Sequence, residues 1–251
     1  MNTPSRPRAT KIICTIGPAT DTSDMLGQLI EAGANVFRLN MSHSKHDWVR
    51  EVVFRIRRKA AELEANVAIL FDLQGPSIRT GDLAEPYHLK KGDTVEIRLG
   101  TAKPELPFST TVNYDGLLQD VQAGHTMVVD NGGILMRIAE VRPDRLICDV
   151  LTEGVFGSRR HINLPGVALR LPALTEKDLA DLAVAVECET DYVAMSFVRD
   201  AAHIAQLREH IDNLGGKAQI VAKIEDQQAV RHIDDIILAA DVIMVERGDL
   251  G

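Results

Sequence analysis

A chain of 251 residues is longer than one hydrophobic core usually fills, so the length points to one large barrel or a pair of domains. Hydrophobic residues make up 45% and charged residues 25%, and no apolar run reaches the ~18 residues of a membrane span, which excludes a transmembrane reading. A formal net charge of −8 argues against a nucleic-acid surface, because phosphate backbones are bound by clustered Lys and Arg.

The N-terminus MNTPSRPRAT carries two arginines with no apolar stretch behind them, which predicts a cytoplasmic chain rather than a secreted one. The first seventy or so residues alternate between β-rich apolar runs and helix-period segments: KIICTIG, DTSDMLGQLIEAG, NVFRLN, a helix through Trp48 to Leu63, and VAILFDL. That is βαβαβ with buried parallel strands. Gly33 sits where a left-handed cap closes the first helix, and Ser23 or Asp21 is suited to accept from the free amides at its start. The basic run Arg55, Arg57, Arg58 and Lys59 reads as a solvated outer helix face serving solubility. Cys14, Cys148 and Cys188 are odd in number and widely spaced, so they read as reduced, mostly buried thiols.

From about Pro76 to Pro172 the rhythm breaks into short β-prone pieces, DTVEIRL, TMVVD, ILMRIAEV and RLICDVL, separated by KKGD, DNGG and RPD turns. An all-β domain over 76–172, inserted between barrel segments 1–75 and 173–251, is expected. The βα rhythm then resumes at LTEKD, where Thr175 and Asp178 have capping-box spacing with Asp in place of Glu or Gln. It continues through YVAMSFV, a helix from Asp200, QIVAKIE, another helix and VIMVERG. Six strands in a regular series, with no dinucleotide-type glycine pattern, favour an α/β fold of the (β/α)8 TIM-barrel type with about six βα units present.

Polar residues gather at the strand ends: Arg38 and Asn40, Asp72, Ser196, Lys223 and Glu225, then Arg247 and Asp249. In such a barrel that rim is where chemistry is built, and alternation along a strand puts Lys223 with Glu225, and Arg38 with Asn40, on common sides. Two carboxylates, Glu225 and Asp249, brought together there would repel unless protonated or bridged by a hard cation such as magnesium or manganese. Lys223 adds positive charge where a transferring phosphoryl group needs it. A ring of rim salt bridges is the plainer alternative.

TKIICTIGPAT, RLNMSH, DLQGPSIRTG, NLPG, LTEKD, MSFVRD, AKIED and RGDLG, in this order, closely resemble the N-terminal half of pyruvate kinase across residues 10–251. The resemblance implies phosphoryl transfer between phosphoenolpyruvate and ADP, giving pyruvate and ATP, with Mg2+ or Mn2+ and usually K+. It assigns Lys223, Arg38 and Arg79 to the phosphoryl group and Glu225 with Asp249 to the divalent ion. Gly248 and Asp249 amides would receive the substrate carboxylate, with Ser196 and Phe197 lining the pocket. Asn40, Ser42, Asp72 and the Leu73 carbonyl match potassium ligands. His43, Lys177 and Asp130 match contacts to the nucleotide, for which Arg38 is also placed. By themselves, Asn40 and Ser42 read as turn and cap residues, Asp130 as a hairpin turn, Lys177 as an exposed helix lysine and Phe197 as strand core.

Ser77 stands where many relatives have an acidic residue or a lysine that substitutes for potassium, and Glu246 replaces the usual alanine beside the metal turn. Complete relatives continue into two further barrel strands and a C-terminal domain and form tetramers, so the 251 residues are expected to be part of a longer homo-oligomeric enzyme. Two alternatives accompany that expectation: a catalytically incompetent fragment with a binding or regulatory role, and another Mg-dependent phosphoenolpyruvate barrel enzyme.

Overall fold

The computed structural model describes residues 9–130, 132–167, 169–225 and 227–247. These divide into two compact units. One gathers the described residues up to Gly75 with Ala173–Ile224 and His232–Val245; the other gathers Pro76–Pro172 with Glu225–Arg231 and the residues after Val245.

The first unit opens with β1 (Ile13–Thr15), α1 (Ser23–Ala32), β2 (Val36–Asn40), α2 (His46–Glu62) and β3 (Ala68–Asp72). The cap of α1 is neither Ser23 nor Asp21 but Thr22, the last residue with extended backbone, whose hydroxyl accepts from the Met25 amide at 3.3 Å. Three adjacent cap-competent side chains made the choice ambiguous. Asp21 instead accepts from Trp48 Nε1 at 2.7 Å, and Ser23 lies inside the helix and accepts from Arg58 at 2.9 Å. Gly33 closes the helix in the left-handed region at φ 98° as expected.

The basic run on α2 is not a free solvated face. Arg55 donates to the Asp21 carbonyl, and Arg57 reaches the Val67 and Glu189 carbonyls and the Asp191 carboxylate, tying α2 to the connections that enter β3 and the strand starting at Tyr192. Asp191 Oδ2 also accepts from the Ile69 amide at 2.7 Å. A carboxylate that anchors a strand amide and an arginine at once aligns helix with sheet, which a charge count cannot reveal.

The second unit contains β4 (Tyr87–Leu89), β5 (Thr94–Arg98), β6 (Ser109–Thr111), a one-turn α3 (Leu117–Asp120), β7 (Thr126–Val129), β8 (Ile134–Val141), β9 (Arg145–Val150), β10 (Gly154–Phe156) and β11 (Ile162–Asn163). One sheet runs β11-β7-β8-β9-β5-β6 and a second pairs β10 with β4. All pairings are antiparallel except β5 with β6. Alternate residues of β7 to β9, including Met127, Val129, Met136, Ile138, Leu146 and Cys148, fill one core with Phe156. Buried Glu96 joins the Glu105 and Leu106 amides to Arg145, satisfying a carboxylate that would otherwise be costly inside.

The first unit resumes with α4 (Glu176–Glu187), β12 (Tyr192–Met195), α5 (Ala201–Asn213) and β13 (Gln219–Ile224). Where one helix was expected there are two short ones, α6 (Gln227–Arg231) and α7 (Ile233–Ala239), before β14 (Val242–Val245); His232 breaks them, and Asp234 with Asp235 suits the fresh N-terminus. The sheet order is β1-β2-β3-β12-β13-β14, every pair parallel. Leu70, Ala194 and Val221 are buried together, with Val36, Tyr192 and Met244 packed on them as one apolar layer. Two residues further along three of these strands stand Arg38, Asp72 and Lys223, on the same face by alternation. Phe37, Leu39, Phe71, Val193 and Ile220, on the opposite face, are also buried.

All three cysteines are free. Only Cys148 is buried, however; Cys14 sits on the edge strand β1 and Cys188 ends α4, and both are partly exposed.

Candidate active site on the strand ends

Asp72, the last residue of β3, is buried and organises two cations. Its Oδ2 accepts from Arg38 Nε at 2.7 Å and from a second, very short bond to Arg38 Nη2, a forked pairing suited to a guanidinium. Its Oδ1 lies 3.3 Å from Lys223 Nζ yet accepts no hydrogen bond among the described residues. Lys223 Nζ donates to Ser196 Oγ at 3.0 Å, and that hydroxyl donates to the Leu73 carbonyl at 2.7 Å. Arg38 is braced further by Thr15 Oγ1 at 3.0 Å. Two fixed cations share one carboxylate here, leaving a net positive cluster whose lysine is almost fully buried. Such a cluster is ready to receive an anion without reorganising.

The register explains the gathering. Asn40 and Ala194 are both strand partners of Asp72, so the ends of β2, β3 and β12 coincide. Asn40 Oδ1 accepts from the Ser42 amide at 3.0 Å, which makes the tight turn after β2, and the Met41 amide closes onto the Asp72 carbonyl at 2.9 Å. Asn40 and Ser42 thus follow one strand end and Asp72 and Leu73 the next, and Asp72 Oδ1, which pairs with Lys223 but accepts no hydrogen bond among the described residues, is an oxygen of the type a hard monovalent cation takes.

Lys177, on the first turn of α4, is exposed but not idle. Its Nζ donates to the Met41 carbonyl at 2.7 Å and to Asp181 at 2.6 Å, while His46 Nε2 lies 2.7 Å from the other Asp181 oxygen. His43 is exposed on the turn after β2, its amide 3.4 Å from the Asn40 carbonyl. Phe197 lies not in a strand but in the turn after β12, at φ 55°, a backbone region that bulky side chains seldom adopt.

In the second unit, Arg79 Nε donates to Ser77 Oγ at 3.3 Å and its Nη1 to the Arg159 carbonyl at 3.1 Å. Asp130 follows β7 at φ 58°, 3.3 Å from Arg160 Nη1. Glu225, directly after β13, is buried and belongs to this unit. Glu246 is half-buried. Gly248 and Asp249 lie outside the described residues, and among those described no three His, Cys, Asp or Glu side chains form a metal-binding group.

Sequence reasoning missed the part played by Asp178, Gly75, Asp181 and His46. Asp178 does close the expected capping box, accepting from the Thr175 amide at 2.8 Å while Thr175 Oγ1 accepts from the Asp178 amide at 3.1 Å. Its spare oxygen reaches the Gly75 amide at 3.0 Å. The signal was the shorter Asp at a position where Glu or Gln ordinarily closes the box on itself.

An all-parallel βα sheet that carries a buried lysine and a partly buried arginine toward the carboxyl ends of its strands defines a barrel-type domain with a cationic rim. Residues 7–251 match the family described as pyruvate kinase, barrel domain, and the chain belongs to that family. It is 39% identical over 251 residues to plastidial pyruvate kinase 2 of Arabidopsis thaliana, covering 99% of this chain and 43% of that protein. It is 38% identical over 245 residues to pyruvate kinase of Mycobacterium tuberculosis H37Rv (97% of this chain, 52% of that protein). With pyruvate kinase of Staphylococcus aureus MRSA252 it shares 36% identity over 247 residues (97% and 42%). The chain spans about half the length of the curated relatives it matches. Pyruvate kinases are phosphotransferases, so the family assignment sets aside a differently acting phosphoenolpyruvate barrel. No helix among the described residues is long and apolar enough to cross a membrane.

Proposed function

We propose that this chain carries the phosphoryl-transfer face of a cytoplasmic pyruvate kinase, which moves the phosphoryl group of phosphoenolpyruvate to ADP and yields pyruvate and ATP. The observation that carries this reading is the buried Lys223, held by Ser196 and sharing Asp72 with Arg38. During transfer, charge spreads over the phosphoryl oxygens and appears on the enolate oxygen left behind. Arg38 offers the phosphoryl oxygens the Nη hydrogens that Asp72 and Thr15 leave unused, and by family resemblance the inserted β domain over 76–172 would act as a lid, with Arg79 serving the phosphoryl group and Asp130 the nucleotide. Lys223 Nζ neutralises the charge as it develops, and its low exposure makes that interaction stronger than it would be in water. Ser196 and Phe197 shape the floor of the pocket, and the Gly248 and Asp249 amides take the substrate carboxylate.

Glu225 and Asp249 would hold Mg2+ or Mn2+, which supplies Lewis-acid polarisation of the substrate oxygens when bound. Asn40, Ser42, Asp72 and the Leu73 carbonyl would hold K+, and Ser77 brings no ammonium group that could replace it. Lys177 and His43 contact the nucleotide phosphates, which requires Lys177 to exchange its Met41 or Asp181 partner for a phosphate oxygen. The working assembly is a homo-oligomer, a tetramer by family resemblance.

The test is Lys223→Met in the full-length protein. Phosphoenolpyruvate-dependent ATP formation should fall by roughly 10²–10³ or more in kcat, the loss that follows removal of one preorganised charge-stabilising donor. Circular dichroism and Mn2+ binding should remain close to the parent. Turnover within twofold of the parent, about the scatter of such assays, would remove Lys223 from a charge-neutralising role in the transfer step.

A further inference from the structure

Asp178 lies on no substrate-facing edge, yet its carboxylate is wholly buried and both its oxygens are used, across two elements. Oδ2 accepts from the amide and hydroxyl of Thr175, which starts α4. Oδ1 accepts from the amide of Gly75, three residues past the end of β3. Gly75 adopts φ +69°, and a Cβ built there would lie 2.9 Å from Ser196 Cβ, 3.0 Å from Phe197 Cδ2 and 3.1 Å from the Ser196 carbonyl. The loop after β3 is thus pressed backbone-first onto the turn that carries Ser196 and Phe197. Only a residue without a side chain fits that approach. Ser196 Oγ in turn accepts from Lys223 Nζ.

From this continuous path we infer that Asp178 is a positioning residue for the transfer step. By fixing the Gly75 amide it holds the β3 loop against Ser196 and Phe197, and through Ser196 it holds the Lys223 ammonium where the reacting group is bound. The inference rests on the catalytic role proposed for Lys223. It differs from helix capping, because a cap needs only the Thr175 contacts, whereas the Gly75 bond lies 103 residues away in sequence. Asp178 closes the cap with one oxygen and leaves the other facing the neighbouring loop.

Asp178→Ala and Gly75→Ala break the path at its two ends, and Thr175→Ala disturbs the cap while leaving Asp178 able to reach Gly75. Two readouts separate them. One is the rate at which trinitrobenzenesulfonate modifies Lys223 in the folded chain, located by peptide mass spectrometry. The other is kcat against KM for ADP and phosphoenolpyruvate in the full-length protein. Asp178→Ala and Gly75→Ala should each raise Lys223 modification several-fold and lower kcat by on the order of 10–100-fold, as small misplacements of a reacting group do. Thr175→Ala should lower the melting temperature and leave both readouts near the parent. Asp178→Asn, which keeps an acceptor for Gly75, should recover most of kcat, and Gly75→Ala serves if the alanine variant at 178 fails to fold.

The proposal is overturned if Thr175→Ala matches Asp178→Ala in both readouts, or if folded Gly75→Ala leaves Lys223 modification and kcat both unchanged while Asp178→Ala loses stability alone. Lys223→Met separates the two layers: full activity in that variant refutes the catalytic reading, while the modification rates still judge the positioning path.

Discussion

Asp72 stands between Arg38 and Lys223, and its removal exposes how much of the site is electrostatic. In Asp72→Ala two cations would face one another around an emptied position, and the loss of a buried partner of this kind costs roughly 3–5 kcal/mol. Urea unfolding of the variant should show that loss as a lower midpoint with an unchanged slope. A loss under about 1 kcal/mol, the size of an exposed pair, would mean that the cluster is solvent-screened. Cys148 gives an independent probe at the same scale. Burial pushes its thiol up to about 12, with Asp149 adding to the effect, so it is protonated and inaccessible at pH 8. Dithionitrobenzoate should leave Cys148 unmodified in the native chain and titrate it only on unfolding; native reaction at Cys148 would contradict the packing of the second unit. The same scale shows where sequence reading stops. The placement of Lys223, Asp72 and Arg38 toward the carboxyl ends of their strands was legible from the apolar runs that precede them, whereas Asp178 was visible only as a cap, since its Gly75 partner is distant in sequence.

Among elements, the connection leaving the second unit is held by side chains rather than by a ladder. Tyr114 donates a very short hydrogen bond to Asp120, and Asp120 also accepts from the Arg170 amide at 3.0 Å and its guanidinium at 2.6 Å. Burial, with the Asp120 bond next, pushes the Tyr114 hydroxyl up to about 12. Burial alone would raise Asp120, but the Arg170 amide, the Tyr114 hydroxyl and the Arg170 guanidinium outweigh it and the carboxyl titrates below its usual range. A lowered Asp contributes stability that is present above about pH 4 and is lost as pH falls through its folded value. A raised Tyr contributes in full below about pH 10 and is lost as pH rises through about 12. Tyr114→Phe should therefore flatten the alkaline limb of a melting-temperature profile, and Asp120→Asn the acid limb, each at a cost of about 1–3 kcal/mol at pH 7. Profiles parallel to the parent would show that the contact is not made in solution. This contact escaped the sequence, as did β6, whose STT carries neither an apolar run nor clear alternation. The parallel strands, by contrast, were plain, because strands covered on both faces read as unbroken apolar runs.

At the scale of the whole chain, β1 and β14 form the two ends of the described parallel sheet. Ile13 is 50% exposed and Val245 60%, and Leu238 on α7 is 86% exposed. Parallel strands are ordinarily covered, and open apolar edges template association. The 251-residue chain prepared by itself should therefore self-associate, with a light-scattering mass that climbs with concentration; a strictly monomeric mass across the micromolar range would show these edges to be protected. The alternation of parallel strands and helices was readable because the hydrophobic period switches between strand and helix along those stretches. The split of α6 from α7 was not, because Gln227 to Ala239 keeps a helical composition across His232.

Transfer between phosphoenolpyruvate and ADP at this strand-end cluster is tested most directly by ATP production. The purified full-length protein is followed with luciferase while phosphoenolpyruvate, ADP and Mg2+ are omitted one at a time. ATP should appear in step with pyruvate, one for one, only when all three are present. Absence of ATP under those conditions, or ATP formed without phosphoenolpyruvate, would contradict the proposed activity.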